Sequence, residues 1–205
     1  LLCLENTVAG HVQSADTINE MAAVGRTHGL AVHLDGARLM NAVVKLGITA
    51  AKLVEGVDTV SLCLSKGLGT PAGSVLVGPA DFIRRAHRIR KLVGGGMRQI
   101  GILAAAGIHA LDHHVDRLED DHLHALRLAE GLSRVKAIEV SPDAVETNMV
   151  FIGLPDGAAD GLRKHLAGCG ILLGGGAKQI RLVTHLDVTR DDVDLLSEEI
   201  YQYFA

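Results

Sequence analysis

Residues 61–74 read SLCLSKGLGTPAGS, in which one cation, Lys66, follows an apolar segment and precedes a loop rich in glycine. The apolar segment predicts a buried strand, and a lysine that leaves such a strand loses part of its hydration. Partial dehydration favours reaction of the amine, and the flanking glycines allow a flat ligand to approach the backbone. The segment therefore predicts a reactive amine, although a solvated lysine in a turn has the same pattern.

A second charged residue ends the apolar part of residues 30–38, which read LAVHLDGAR and also predict a strand. Asp35 precedes Lys66 by 31 residues, an interval long enough for a strand, a helix and a second strand. Because parallel strands end at the same edge of a sheet, we expect Asp35 and Lys66 to share that edge. An aspartate that protonates a pyridine nitrogen and a lysine that forms a Schiff base are the groups that pyridoxal phosphate requires.

The alternation of strand and helix patterns predicts an α/β fold with a mostly parallel sheet and helices on both faces. This organisation covers residues 1–100. Residues 101–134 are predicted to form one long linking helix, and residues 135–205 a small C-terminal α+β domain. Strands of that domain are predicted near residues 137–140, 149–154, 171–173 and 179–184.

The composition excludes several classes of protein. The 205 residues are 48% hydrophobic with a formal charge of −4, which gives no basic surface for nucleic acid. No apolar segment approaches the length of about 20 residues that a membrane span needs, and the first residues do not resemble a signal peptide. We therefore predict a cytoplasmic location, with neither nucleic acid nor membrane as a partner.

Cysteine and histidine patterns do not predict a metal site. Cys3, Cys63 and Cys169 lack paired spacing and are interpreted as reduced core residues. Of the histidines in the predicted linking helix, His109 and His113 alone have the i,i+4 spacing of ligands.

Residues 67–72 match the dinucleotide pattern G-x-G-x-x-A, but a predicted strand follows where that pattern requires a helix.

Three motifs in order closely resemble the low-specificity threonine aldolases: HLDGAR at 33–38, CLSKGLG at 63–69 and RIRKLVGGGMRQ at 88–99. These are pyridoxal-phosphate enzymes of the aspartate aminotransferase fold, fold-type I. The resemblance implies cleavage of a β-hydroxy-α-amino acid, threonine or allo-threonine, to glycine and an aldehyde. It also implies that residues 1–100 are the C-terminal portion of the large cofactor-binding domain.

The resemblance assigns roles to six residues. Lys66 and Asp35 are the catalytic pair, and Arg38 lies near the ring oxygen of the cofactor. Lys91 and Arg98 face the cofactor phosphate or the substrate, with Arg98 acting across the interface of a homodimer or homotetramer. Arg181 binds the substrate α-carboxylate. From the residues alone, the glycines at 94–96 are equally a flexible hinge, and the alternative for Arg181 is a cross-strand ion pair.

Two departures from the family stand out. Relatives are longer at the N-terminus, whereas this sequence opens on Leu1 without a methionine, so we expect a truncated chain with little or no aldolase activity. Relatives place a histidine directly after Glu-Asn-Thr, and that histidine helps to recognise the substrate hydroxyl. Here Val8, Ala9 and Gly10 precede His11, so the same role cannot be assigned directly to His11. Another pyridoxal-phosphate lyase or aminotransferase, or a non-catalytic remnant, is the alternative.

Overall fold

The computed structural model describes residues 1–205, which divide into two compact units. Unit 1 comprises Leu1–Val8 and Val12–Leu118, and unit 2 comprises Ala9–His11 and Glu119–Ala205. No helix in either unit combines the length and the apolar character that crossing a bilayer would demand.

Unit 1 contains a four-stranded sheet with the order β1-β2-β3-β4. Its strands are β1 (Leu2–Glu5), β2 (Val32–Gly36), β3 (Thr59–Cys63) and β4 (Ser74–Val77). The first three run parallel and β4 is antiparallel to β3, so the predicted α/β class with a mostly parallel sheet is confirmed. The strand β4 directly follows the 67–72 glycine pattern, as predicted, which leaves that pattern without the helix that a dinucleotide site requires.

The two faces of this sheet differ in burial. Alternate residues of a strand point to opposite faces, and on one face Leu4, Leu34 and Val60 are paired neighbours and are buried. Residues on the other face are all half-buried or exposed; they are Cys3, Glu5, His33, Asp35, Thr59, Ser61, Cys63, Ser74 and Leu76. The buried core of unit 1 therefore lies against one face of the sheet.

Five helices belong to unit 1. They are α1 (Ala15–Thr27), α2 (Leu39–Leu46), α3 (Ala50–Leu53), α4 (Ala80–Leu92) and α5 (Gly101–His113). The hydroxyl of Ser14 accepts a hydrogen bond from the Thr17 amide and caps α1, whose buried residues Ile18, Ala22 and Gly25 repeat at helical spacing. Gly25 approaches the side chains of Leu2 and Val32, which brings α1 close to the sheet.

Unit 2 combines two antiparallel strands with three helices. Its elements are α6 (Leu118–Leu132), whose first residue belongs to unit 1, β5 (Met149–Gly153), α7 (Ala158–Gly168), β6 (Gln179–Val183) and α8 (Arg190–Phe204). Arg127 on α6 donates two hydrogen bonds to the Asp194 carboxylate on α8, at 2.5 and 2.7 Å. This bond holds the pKa of Asp194 below its ordinary value and joins the two helices.

The prediction of one linking helix over residues 101–134 is wrong. Helix α5 ends at His113, and α6 begins at Leu118. His114 leaves the helix and donates from Nδ1 to the Leu68 carbonyl at 2.7 Å, while Leu118 is fully buried. Tertiary contacts therefore override the helical pattern, and Glu119, Asp120 and Asp121 supply the acidic first turn that favours a new start.

Two of the four strands predicted for the C-terminal part are absent. Near residues 137–140, Glu139 makes a single isolated bridge to Gly153, and residues 171–173 have no regular structure. Residues 149–153 and 179–183 do pair, with Phe151 opposite Arg181. The apolar segments at 137–140 and 171–173 instead contribute Ile138 to the core of unit 2 and pack Ile171 and Leu173 against it.

Candidate active site

Asp35 lies near the carboxyl end of β2, exposed on the less buried face of the sheet. Its neighbours in register are Glu5 on β1 and Ser61 on β3, which give this row of the sheet a polar character. The Asp35 Oδ1 accepts the backbone N–H of Ala37 at 2.9 Å, so the turn after β2 fixes the orientation of the carboxylate. The backbone carbonyl of Asp35 accepts the Asn6 amide at 3.0 Å, which ties the ends of β1 and β2 together.

Lys66 follows the carboxyl end of β3, three residues beyond Cys63, and is half-buried. The loop that carries it closes on itself, because the Gly69 amide donates to the Lys66 carbonyl at 2.8 Å and Thr70 donates to Leu64 at 3.1 Å. Since β2 and β3 are parallel neighbours, Asp35 and Lys66 lie at the same edge of the sheet.

Two residues that the sequence did not single out position this loop. His114 holds the Leu68 carbonyl, as described above, and the buried Asn41 on α2 lies beside Gly67. No sequence pattern could have identified either residue, because each is brought to the loop from a distant segment. Both act on the backbone that carries Lys66, so we interpret them as positioning residues.

Gly67 is required by a close approach. A Cβ atom at this position would lie 2.8 Å from Leu118 Cδ2 and 3.4 Å from Asn41 Oδ1. Overpacking of this kind costs about 1–3 kcal/mol, because buried neighbours must shift to admit the methyl group. The loop after Lys66 is therefore packed against the core of unit 1.

We expect Gly67→Ala to lower the melting temperature by about 3–10 °C, since each kcal/mol shifts a chain of this size by a few degrees. The matched control is Gly101→Ala, because a Cβ at Gly101 meets no atom within 4 Å. Thermal unfolding followed by circular dichroism measures both changes. Equal melting temperatures for Gly67→Ala and the unchanged chain would contradict the packing argument.

The basic residues predicted for the cofactor lie on other elements of unit 1. Arg38 is half-buried at the residue preceding α2, three positions after Asp35. Lys91, in the last turn of α4, packs over the loop formed by the glycines at 94–96, since a Cβ on Gly96 would lie 3.3 Å from Lys91 Nζ. Arg98 is exposed in the turn that precedes α5. The structure therefore places the Lys91 side chain against the glycines at 94–96.

Arg181 belongs to unit 2, where it lies exposed on β6 opposite Phe151. It lines a cleft of about 590 Å³ together with Phe151, Leu172 and the three glycines at 174–176. Arg163 donates to the carbonyls of Gly175 and Gly176, at 2.7 Å each, and so fixes that glycine loop. The exposed Arg181 thus lines an open cleft of unit 2.

His11 also belongs to unit 2, where its Nδ1 lies 3.3 Å from Glu146 Oε1. Both side chains are substantially exposed. The histidine that departs from the family spacing therefore has a local acidic partner.

The interpretation of the cysteines as core residues is wrong, since none of the three belongs to the buried core. Cys3 and Cys169 are exposed and Cys63 is half-buried, and all three are free thiols. Cys3 and Cys63 lie on the less buried face of the sheet, since the neighbours that alternate with them supply the core. Cys169 follows the last residue of α7.

Comparison with known proteins agrees with this arrangement. Residues 1–154 match the family described as beta-eliminating lyase. The chain is 48% identical to low-specificity L-threonine aldolase 1 of Arabidopsis thaliana, over 94% of this chain and 56% of that protein. It is 45% identical to the low specificity L-threonine aldolase of Escherichia coli K12, over 94% of this chain and 57% of that protein.

A solved structure shares the fold. The threonine aldolase of Leishmania major superposes with a TM-score of 0.78 at 20% identity, covering 99% of this chain and 60% of that one. The fold and the sheet edge thus define an α/β chain with an aspartate at the carboxyl end of one parallel strand and a lysine just beyond the end of its neighbour. The chain belongs to the beta-eliminating lyase family. It spans little more than half the length of the curated relatives that it matches.

Proposed function

We propose that this chain carries the lysine-bearing part of a pyridoxal-phosphate lyase that cleaves threonine or allo-threonine to glycine and acetaldehyde. The observation that supports the proposal most directly is the register of β2 and β3, which brings Asp35 and Lys66 to one edge of the sheet. The similarity to threonine aldolases at 45–48% identity supports the same substrate class.

The residues at this edge fit the proposed cofactor by their chemistry. Lys66 offers an amine, Asp35 offers a carboxylate held by the Ala37 amide, and the loop beside Lys66 is closed and packed through Gly67. When bound, pyridoxal phosphate supplies an electron sink for the carbanion that carbon–carbon cleavage leaves behind. Asp35 would hold a proton on the pyridine nitrogen of the cofactor, and the Lys66 amine would hold the cofactor through its aldehyde carbon.

The remaining site residues would bind anions. Arg38, three residues after Asp35, would lie near the ring oxygen. Lys91 and Arg98 would face the cofactor phosphate or the substrate, and Arg98 would act across the interface between two protomers. A fixed cation beside backbone N–H groups is suited to binding a phosphate. Arg181 would bind the substrate carboxylate, because its planar guanidinium can donate two parallel hydrogen bonds.

The assembly proposed for this protein is a homodimer or homotetramer. Support comes from apolar residues of unit 1 that are exposed to solvent on β4, α4, α5 and the loop between the two helices: Val75, Leu76, Val77, Ile89, Leu92, Val93, Met97, Ile100, Ile102 and Ile108. Exposed apolar surface of this extent is typical of protein interfaces. A cytoplasmic location stays a prediction from the sequence.

The test is to supply the purified chain with pyridoxal phosphate and to assay L-threonine and L-allo-threonine for glycine and acetaldehyde. Because the chain spans little more than half the length of the threonine aldolases that it matches, we expect slow turnover, with glycine and acetaldehyde released in equal amounts. A parallel reaction contains an amino acid without a β-hydroxyl group and a 2-oxo acid acceptor. Amino-group transfer without aldehyde would favour an aminotransferase, and no product from either reaction would favour a non-catalytic chain.

A further inference from the structure

Three metal-binding side chains converge on the surface of unit 2. His165 and Cys169 come from α7 and its C-terminal end, and Glu199 comes from α8. Glu199 Oε2 lies 3.0 Å from His165 Nε2 and 3.1 Å from Cys169 Sγ. The three donor atoms all lie within 4.8 Å of one another, and no other group of three such residues comes together in the chain.

Helix geometry and helix packing together create this cluster. His165 and Cys169 have i,i+4 spacing, which places both side chains on one face of α7. Glu199 is added because α8 packs against α7, with Leu162, Leu166 and Ile200 in the core of unit 2. The ring of Tyr203 lies 5.5 Å from the His165 ring, measured between centroids, and supports the imidazole from one side.

Imidazole nitrogen, thiolate sulfur and carboxylate oxygen are the three ligand types that zinc prefers in proteins. Zinc bonds of about 2.0–2.3 Å in a tetrahedron require about 3.3–3.6 Å between ligand atoms. Glu199 Oε2 would therefore move outward slightly from 3.0 and 3.1 Å, and the ligand atoms of His165 and Cys169, which lie within 4.8 Å of each other, would rotate closer together. We propose that His165, Cys169 and Glu199 form a zinc-binding site, with water as the fourth ligand. This site is independent of the proposed lyase function.

The Cys169 thiol donates its hydrogen to Glu199 Oε2 at 3.1 Å, and His165 Nε2 lies 3.0 Å from the same oxygen. A metal ion would replace the thiol proton and the bond between His165 and Glu199 at once. It would also link α7 to α8, so its consequence is a more stable unit 2.

Solvent access permits the ion to enter. Cys169 is exposed, and the side chains of His165 and Glu199 retain 32% and 18% of their accessible surface. His109 and His113, which have the i,i+4 spacing of ligands, have ring centroids 4.6 Å apart at a tilt of 50°, and no third ligand joins them. The i,i+4 spacing of His165 and Cys169 was visible in the sequence, but Glu199 could not be paired with them before α7 and α8 were packed.

The experiment uses the full chain, stripped of metal and without pyridoxal phosphate, so the result does not depend on the proposed lyase function. Zinc is titrated against a chromophoric chelator, and thermal unfolding is followed with and without zinc. We expect one zinc ion per chain and a rise in melting temperature of about 5–10 °C at a hundredfold excess over Kd. Cobalt in place of zinc should show the ultraviolet charge-transfer band of a thiolate ligand.

Cys169→Ser and Glu199→Gln should each weaken zinc binding by about 100-fold or more, since loss of outer hydrogen bonds alone costs 10–100-fold. Cys3→Ser, which removes another exposed thiol, should leave affinity and the cobalt band unchanged. Circular dichroism verifies that each variant is folded. If Glu199→Gln does not fold, the zinc affinity and the cobalt band of Cys169→Ser decide the test. No stoichiometric binding by the unchanged chain, or equal binding by Cys169→Ser, would mean that the cluster is only a hydrogen-bonded network.

Discussion

Replacement of Lys66 by alanine should abolish covalent attachment of pyridoxal phosphate and lower glycine release by about 1000-fold or more. The reason is that Lys66 carries an amine at the same edge of the sheet as Asp35, in a loop that its own hydrogen bonds hold closed. Borohydride reduction in the presence of the cofactor, followed by peptide mapping, measures attachment directly. The peptide that contains Lys66 should gain the mass of the reduced cofactor.

The matched control for this result is Lys45→Ala, which removes an exposed lysine from the last turn of α2. It should leave both labelling and glycine release unchanged. Labelling of another lysine in the unchanged chain, with full labelling of Lys66→Ala, would show that the reactive amine lies elsewhere. Labelling also separates the role of Lys66 from the identity of the substrate, because it requires no turnover.

Asp35→Asn should lower kcat by about 100–1000-fold while changing cofactor affinity by less than about tenfold. Asparagine keeps an oxygen that can accept the Ala37 N–H, so the turn after β2 survives and only the negative charge is lost. The charge matters most when the carbanion forms, because a protonated pyridine ring withdraws electrons from it. Steady-state kinetics gives kcat, and titration of cofactor absorbance gives affinity.

Asp58→Asn is the control for this second change. The Asp58 carboxylate also accepts a backbone amide, that of Val32 at 2.7 Å, but it precedes β3 and lies at the opposite edge of the sheet. It should affect kcat little. Equal kcat values for Asp35→Asn and the unchanged chain would refute the ring-nitrogen role, and a large loss of affinity with little change in kcat would indicate binding alone.

The sequence predicted the sheet edge well because its signals are local. Short apolar segments that end at Asp35 and before Lys66 indicate strands, and the helical interval between them requires a parallel connection. Parallel strands align their carboxyl ends, so the position of both residues at one edge follows without tertiary information. The family motifs at 33–38, 63–69 and 88–99 agree with the match over residues 1–154.

Tertiary packing determined two features that the sequence did not predict, the break between α5 and α6 and the cluster on α7 and α8, because each depends on residues that are far apart in the chain. The contact of His114 with Leu68 and the burial of Leu118 divide a helical pattern into α5 and α6. The joining of His165 and Cys169 to Glu199 likewise depends on how α7 meets α8. Hydrophobic periodicity determines which face of a strand or helix is buried, whereas the partner that this face meets depends on non-local packing.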